Sequence, residues 1–457
     1  MRRAHLILAG LMAGYTALFT FYCWSRHNSL AVGDWDLGTF EQSFWTAAFA
    51  NLPFYNTYEG HSHFAQHNTP IFLLLLPIYK MAPHTVTLLF LQSLWLALGA
   101  VPVFLLGRDL INEKVGMVFA VLYLGYFPLH GVNYHDFHEA PFSVAPFLLM
   151  IWGWRTGRPA WMWSGAILGM CAREDLGMVV MTMGLLAWWW RRRHPDDGAA
   201  PGGMLIVLGM FYTWLSFAVV MPAFRPGTWP LTDRWLHLGA TPIDWLLSPI
   251  LNPRAFWGTL VTVPNVSYLL GFLAPLAFLP VFALPVLVPT GWVLGVNLLS
   301  NFGGMHLFSS HYAAPIIPFV FAAAVEGARR RGLSTVKQLR AAIILTALTA
   351  MFLDPSPIRL GRKIPTADAH ADELRAVIAS IPADVSVSTQ VNIWTHMTKR
   401  VEAYPYFRPG VEYLIVDEYY PVFVRESRLD REIPQQVASG RYRLDREIGT
   451  IRIYRKN

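Results

Sequence analysis

Histidines, carboxylates and one arginine recur in this chain at spacings that metal binding or acid–base chemistry would use. Gly33-Asp34-Trp35-Asp36 comes first, then His61-Ser62-His63 with Gln66-His67, His135-Asp136-Phe137-His138-Glu139, Arg173-Glu174-Asp175, and His306 to His311. In a helix His63 and His67 would share a face, as would His135 and His138. Imidazoles and carboxylates suit Zn²⁺ and can serve Mn²⁺, so His63, His67, His135, His138 and Glu139 form a candidate ligand set for a divalent metal (Zn, Mn or Mg). The alternatives are a hydrogen-bond network without metal, or imidazoles contacting an anionic lipid head group. Asp34 and Asp36 could take a proton from a hydroxyl or bind a metal that neutralises a phosphate leaving group; capping the next helix is the competing use. Arg173 offers forked hydrogen bonds to phosphate, and an ion pair with Glu174 or an aspartate competes for it.

These junctions lie between long apolar runs. The chain is 54% hydrophobic and only 14% charged, with a mean hydropathy of +0.36, which is too apolar for a water-soluble protein of 457 residues. It reads as a polytopic membrane protein. Ionisable residues at the ends of membrane spans are costly unless they pair or serve a site, so their collection on one predicted side marks a functional site. The net charge of +7 could suggest nucleic acid, but Arg2 and Arg3, Arg155 and Arg158, Arg191 to Arg193, and Arg329 to Arg331 each flank an apolar run, as in retained cytoplasmic loops. Topology therefore accounts for the basic balance and no nucleic-acid partner is expected. The first apolar run, from Ala4 to about Trp24, is too long for a typical signal core, so it reads as an uncleaved first span. Cys23 and Cys171, the two cysteines, read as small buried hydrophobes and support no disulfide framework.

Placing the basic loops inside sets a topology. Spans fall at about 4 to 24, 85 to 107, 115 to 132 and 140 to 154, leaving a first outer loop of about 25 to 84. Between Arg158 and Arg191 the chain forms a short hairpin with Arg173-Glu174-Asp175 at its outer tip, a candidate cavity wall. Further spans lie at about 204 to 222, two between 255 and 300, then 312 to 327 and 341 to 353, with an outer loop over about 223 to 254. The expectation is an all-α polytopic membrane protein of about 11 transmembrane helices, N-terminus inside, C-terminus outside. In the first outer loop, Phe40 to Phe49 is amphipathic and is expected along the membrane surface.

After Pro355 charged residues become frequent. Ala367 to Ile381 has helical spacing, Val385 to Ser388, Glu412 to Val416 and Thr450 to Tyr454 read as strands, and Pro434 to Ser439 as a short helix. The organisation is thus a transmembrane domain over 1–355 and a small extracytoplasmic α/β domain over 356–457. Asp417, at a strand end, could contact substrate, but a structural or docking role suits the domain better.

The run Asp36-Leu37-Gly38-Thr39-Phe40-Glu41-Gln42-Ser43-Phe44-Trp45, with His63-Phe64, His67, Pro70, Pro77-Ile78-Tyr79, Tyr134 to Glu139 and Arg173-Glu174-Asp175, resembles a bacterial family of predicted membrane proteins of unknown function. The resemblance is strong over most of 30 to 190 and looser over the Glu412 to Asp417 strand. That family in turn resembles the C-type (GT-C) glycosyltransferases, which take a sugar from a polyprenyl-phosphate carrier on the outer face of the membrane. There an acidic residue of the first outer loop, often in an Asp/Glu-x-Asp/Glu arrangement, acts as base or metal ligand; the match falls on Asp34-Trp35-Asp36. This chain departs from the pattern in its intervening Trp and its histidine-rich loop.

The resemblance implies an integral membrane glycosyltransferase of the bacterial inner (plasma) membrane. It would move sugar from a polyprenyl-phosphate donor to an extracytoplasmic glycan, lipid or protein acceptor. Asp36 would be the base with Asp34 as helper. Arg173, Glu174, Asp175, Gln42, Trp45 and Tyr134 would bind substrate or phosphate, with a metal on the histidines stabilising the phosphate charge. Trp45, Tyr55, Tyr58 and Tyr134 could stack on sugar or anchor the chain at the interface. The other classes are a transporter or flippase and a non-catalytic envelope-assembly scaffold. Against the former, no internal repeat relates the halves and the polar residues crowd one side.

Overall fold

In a computed structural model, residues 2–193, 202–225 and 232–457 are described. The chain is mostly helical, and among the described residues six stretches are long and apolar enough to cross a membrane: Arg3–Asn28, Thr85–Leu110, Gly202–Phe224, Leu279–Leu298, His311–Arg330 and Val336–Leu353. Two bent pairs, Glu113–Leu124 with Phe127–His135 and Pro253–Leu260 with Val263–Leu276, raise the number to eight if each is one span. In chain order the first helices are α1 (Arg2–Asn28), α2 (Trp35–Phe49), α3 (Ile71–Met81), α4 (Thr85–Leu98), α5 (Ala100–Leu110), α6 (Glu113–Leu124), α7 (Phe127–His135), α8 (Val144–Arg155), α9 (Pro159–Met170), α10 (Gly177–Arg193) and α11 (Gly202–Leu215). α8 and α9 have 12 residues each and α10 has 17, too short to span alone by that criterion. A π-helical turn, Ser216–Val220, joins α11 to α12 (Met221–Phe224). The expected outer loop of 223 to 254 includes residues 226–231, which lie outside the described residues; beyond them it folds into α13 (Pro242–Leu251), followed by α14 (Pro253–Leu260) and α15 (Val263–Leu273).

Pro280, Pro285 and Pro289 break the next span into 3₁₀ turns over Leu279–Thr290 before α16 (Gly291–Leu298). Proline removes amide donors and fixes φ, so a regular α-helix cannot persist there. α17 (Ile317–Arg330) is the hub of the bundle: 94% of its span window is buried, against 22% for the span containing α18 (Arg340–Leu353). Both are apolar in sequence, and only packing distinguishes the central helix from the lipid-facing one.

The basic junctions gather at one end of the bundle. Arg155 donates to Glu326 at 3.0 Å, Arg329 and Arg330 donate to the same carboxylate, and Arg158 meets Asp109 at 2.9 Å. The acidic and histidine-rich junctions gather at the other end, beneath the C-terminal domain. The first loop contains a feature that its polar residues obscured: α3, whose Leu73, Leu74 and Met81 are exposed apolar residues while Phe72 and Tyr79 enter the core.

The C-terminal domain contains α19 (Ala369–Ser380), α20 (Val391–Trp394), α21 (Pro421–Glu426) and α22 (Leu429–Ala438) around a five-stranded sheet. With a β1–β2 hairpin (Tyr55–Asn56 and His61–Ser62) in the first loop, its strands are β3 (Val387–Thr389), β4 (Ala403–Tyr404), β5 (Tyr413–Asp417), β6 (Tyr442–Ile448) and β7 (Ile451–Lys456). The order is β4-β3-β5-β7-β6, with β3 parallel to β4 and β5, and β7 antiparallel to β5 and β6. The expected helix and three strands are present; β4, β6, α20 and α21 are additional, and the short helix begins five residues earlier than Pro434.

This domain seats on α2, which corrects the expectation that Phe40 to Phe49 lies along the membrane surface. Leu37 to Phe44 are all buried, as is Thr46. Phe40 and Phe44 pack into the bundle core, while the polar face is covered by the domain. Gly38 permits the close approach, because a Cβ there would stand 2.5 Å from the Trp394 ring. Gln42 donates to the Arg400 carbonyl at 3.1 Å and accepts from the Thr57 amide at 2.9 Å, and Glu41 accepts from Thr398 at 2.9 Å. Gln42 and one oxygen of Glu41 thus find partners across the dock, as desolvated donors and acceptors tend to.

Candidate functional site

A cavity of about 1030 Å³ opens between the bundle, the first loop and the segment leading to the C-terminal domain. Six cations line it (Arg26, Arg173, Arg225, Arg234, Arg362 and Lys363) against three carboxylates, Asp36, Glu59 and Glu139. The histidines on its wall are His61, His63, His67, His135, His138 and His311. Such an excess of positive charge in a partly desolvated space favours an anionic ligand.

Asp36 sits in the first turn of α2 and points into the cavity, half-exposed, with its carboxylate 3.1 Å from His138 Nε2 and 4.0 Å from His135 Nε2. Its backbone is fixed from another loop. The Asp136 carboxylate accepts from the Leu37 amide at 3.1 Å and from the Phe137 amide at 2.8 Å, so it stabilises the start of α2. Gln92 of α4 then pins the same loop, donating to the Asp136 carbonyl and accepting from the His138 amide, both at 2.8 Å. Asp34 occupies the N-cap position without making a side-chain cap bond. It is buried, pairs with Arg26 and lies off the cavity wall, so it orients Arg26 and does not face a substrate. Arg26 also donates to the Tyr134 and His135 carbonyls, tying α1 to the end of α7.

Burial pushes the Asp36 carboxyl up, but the facing His138, with its hydrogen bond, and the charges of His135 and His67 outweigh burial and hold it below the usual carboxylate range. Reciprocally, burial favours neutral His138, and Asp36 with Glu139 overcomes that and raises it. Each group thus favours the charged form of the other, with Asp36 half-exposed to the cavity and His138 buried behind it.

The α9–α10 tip forms a second wall. Arg173 grips Asp175 through two hydrogen bonds of 2.6 and 3.1 Å, with Glu139 3.9 Å away. His67 meets Glu174 at 2.9 Å, and Glu174 also accepts from the Asn68 amide at 3.1 Å. Burial lowers the His67 pKa, but Glu174 raises it more, to about 9, so this ring adds a further positive charge at neutral pH. Glu59, beside the same wall, is pushed up to about 7 by burial despite its hydrogen bond from Asn56.

The histidine pairs meet by two routes: the His67 amide donates to the His63 carbonyl at 2.9 Å, one helical-type turn as expected, whereas His135 and His138 do not share a helix. His63 lies in a 3₁₀ turn, His63–Ala65, with its Nε2 3.2 Å from Thr69 Oγ1, and His67 follows outside that turn. α7 ends at His135, and Asp136 is extended, so His138 returns beside His135 through a chain reversal. His311 joins them, its ring 3.7 Å from His138 and 5.7 Å from His135 between centroids. One ring nitrogen of each of these three lies within 4.8 Å of the others, and among the described residues this is the one grouping of metal-ligand type. His63, His67 and Glu139 stand outside it. Gly131 on α7 allows the approach, since a Cβ there would stand 1.6 Å from the Phe308 carbonyl oxygen of the loop that carries His311. Steric room at Gly131 and the stretch His306-Leu307-Phe308-Ser309-Ser310-His311 were the available signals, and neither specifies a distance in sequence.

The remaining expected site residues divide. Tyr134 lines the cavity, with the Arg26 and Arg362 guanidinium groups 5.3 and 5.7 Å from its ring centroid. Glu174 and Asp175 act through His67 and Arg173. Gln42 is committed to the domain dock and Trp45 packs against Phe49, 6.1 Å between rings, both away from the cavity wall. Asp417 is buried, held by His370 at 2.7 Å and Thr450 at 2.7 Å, a structural arrangement inside the C-terminal domain. Cys23 is buried and Cys171 is half-buried, and both are free thiols. The charged wall residues that spacing did not single out are Arg26, Glu59, Arg225, Arg234, Arg362 and Lys363, the last two in the segment linking the bundle to the C-terminal domain.

The family described as Predicted membrane protein (DUF2079) matches residues 26–447 of the chain. No curated protein matches it.

Proposed function

The chain belongs to the predicted membrane protein family DUF2079, and from that premise we propose that it is a glycosyltransferase resembling the C-type enzymes, moving a sugar from a polyprenyl-phosphate donor to an extracytoplasmic glycan, lipid or protein. The reading sets the protein in the bacterial plasma membrane, with α8 and the α9–α10 hairpin counted toward about eleven crossings. The arginine-rich end faces the cytoplasm and the C-terminal domain lies outside.

The observation that carries the reading is a single cavity in which the paired Asp36 and His138 side chains, 3.1 Å apart, share the wall with six Arg and Lys side chains. Asp36 accepts the proton of an acceptor hydroxyl as its oxygen bonds to the anomeric carbon from the face opposite the phosphate. The bond between that carbon and the phosphate oxygen breaks, the electron pair leaves with the lipid phosphate, and the anomeric configuration inverts. Arg173, with protonated His67 behind it, stabilises the charge developing on the phosphate; both are preorganised by Asp175 and Glu174 and need no rearrangement. Arg26, Arg225, Arg234 and Arg362 give the donor its binding energy, and Tyr58 and Tyr134 offer ring faces to sugar. Gln42, Trp45 and Asp34 act on the scaffold.

The test is transfer from a panel of radiolabelled polyprenyl-phosphate sugars by the purified protein in nanodiscs, beside Asp36→Asn and with and without EDTA. Turnover by the wild type that is lost in the variant supports the reading. Absence of turnover and binding across the panel overturns it in favour of transport or scaffolding.

A further inference from the structure

Nδ1 of His138 and Nδ1 of His311 are buried and have no hydrogen-bond partner. Leaving a buried polar atom unpaired is unfavourable, and here two belong to rings stacked side by side. His135 completes a trio whose ring nitrogens approach within 4.8 Å. The other nitrogen of His138, Nε2, lies 3.1 Å from the Asp36 carboxylate. An imidazole that offers one nitrogen and donates through the other to a carboxylate is the arrangement by which proteins fix the tautomer of a metal-binding histidine.

We propose that His135, His138 and His311 form a binding site for a divalent transition metal, with Asp36 as the carboxylate that orients His138. Three imidazoles without a thiolate match Zn²⁺, and they leave a fourth position toward the cavity that all three line. Tetrahedral Zn²⁺ with Zn–N distances of about 2.0–2.1 Å places its ligand nitrogens about 3.3 Å apart, so binding draws the trio together and splays the stacked rings. His135, one-third exposed, has the freedom to make that adjustment. His63 also keeps an unpartnered Nδ1, but it lies outside the trio, and His67 is committed to Glu174. The inference concerns metal affinity and is independent of the transfer reaction.

The experiment uses the full chain without a histidine tag in nanodiscs, stripped with chelator, desalted and loaded with Co²⁺ or Zn²⁺. Bound metal is measured by mass spectrometry and Co²⁺ geometry by its visible ligand-field absorption. The wild type is expected to hold about one ion per chain with a tetrahedral-type spectrum. His311→Ala and His135→Ala each weaken binding at least about tenfold, whereas His63→Ala retains wild-type stoichiometry and spectrum. Metal-free melting temperatures separate lost ligands from lost fold, and the partly exposed His135 is the truncation that disturbs packing least. A wild type that binds neither ion, a folded His135→Ala that binds as the wild type does, or a His63→Ala that loses the signal overturns the proposal.

Discussion

At the basic end of the bundle, Glu326 is buried beneath Arg155, Arg329 and Arg330, and Asp109 is shared by Arg108 and Arg158. At the other end, Arg173, His67 and Asp36 are also paired, but around a cavity of about 1030 Å³ whose wall carries twice as many Arg and Lys side chains as carboxylates. The first end uses charge to close helix termini and hold neighbouring segments together. The second keeps charge facing open space, and the difference teaches that the kind of residue at a span end does not reveal its use: what matters is whether the partners leave room for a ligand.

The largest expected contrast between the ends is catalytic. On the proposed transfer reaction, Asp36→Asn should lower sugar transfer by about 10²–10⁴-fold, with melting temperature little changed, because that reading makes this half-exposed, cavity-facing carboxylate the base. Retention of more than a tenth of wild-type turnover would remove Asp36 from the reaction.

Arg173→Ala should follow at about 10²–10³-fold in turnover, the scale for losing one preorganised donor at a developing charge. Arg173→Lys recovers only part, since an ammonium cannot reproduce the fork on Asp175. Full recovery by lysine would reduce the role of Arg173 to charge alone.

At the closed end the signature reverses. Glu326→Gln leaves three arginines without their shared carboxylate and should destabilise by about 2–4 kcal/mol, while turnover per folded molecule stays at the wild-type level. Chemical denaturation and the transfer assay on the same preparation check both halves.

A smaller effect depends on pH. The His67 pKa is raised to about 9 from an ordinary 6.5, so the stability it contributes is fully present below pH 6.5 and lost as pH rises through 9. Glu174 and Glu139 face this ring with negative charge and Arg173 with positive charge. Melting curves should fall by on the order of 1–3 kcal/mol across that interval, and His67→Asn should flatten that slope; parallel slopes in the two proteins would assign the pH dependence elsewhere. Of similar size is Gly38→Ala, which drives a methyl group to 2.5 Å from the Trp394 ring and should loosen the C-terminal domain by about 1–3 kcal/mol, visible as faster proteolysis of residues 356–457.

The amphipathic character of Phe40 to Phe49 was legible, but not what covers its polar face, because Gln42 and Glu41 find their partners some 350 residues away at Arg400 and Thr398. The histidine pairs were legible as residues. The meeting of His135, His138 and His311 was not, since it depends on the termination of α7 at His135 and on the approach of the Phe308 loop to Gly131. Arg362 and Lys363 had no motif, and they enter the cavity wall because the linker passes over it.

Composition and the placement of arginines were enough to read a multi-pass membrane chain, a C-terminal region of different composition that forms a sheet, and a polar end apart from a basic one. Those properties follow from local transfer energies, which each segment carries alone. Which helix became the buried hub, which acid faced the cavity and which three histidines converged were decided only by tertiary structure. Asp34 and Asp36 are equivalent by residue type and differ only by the Arg26 that occupies one and the cavity that receives the other.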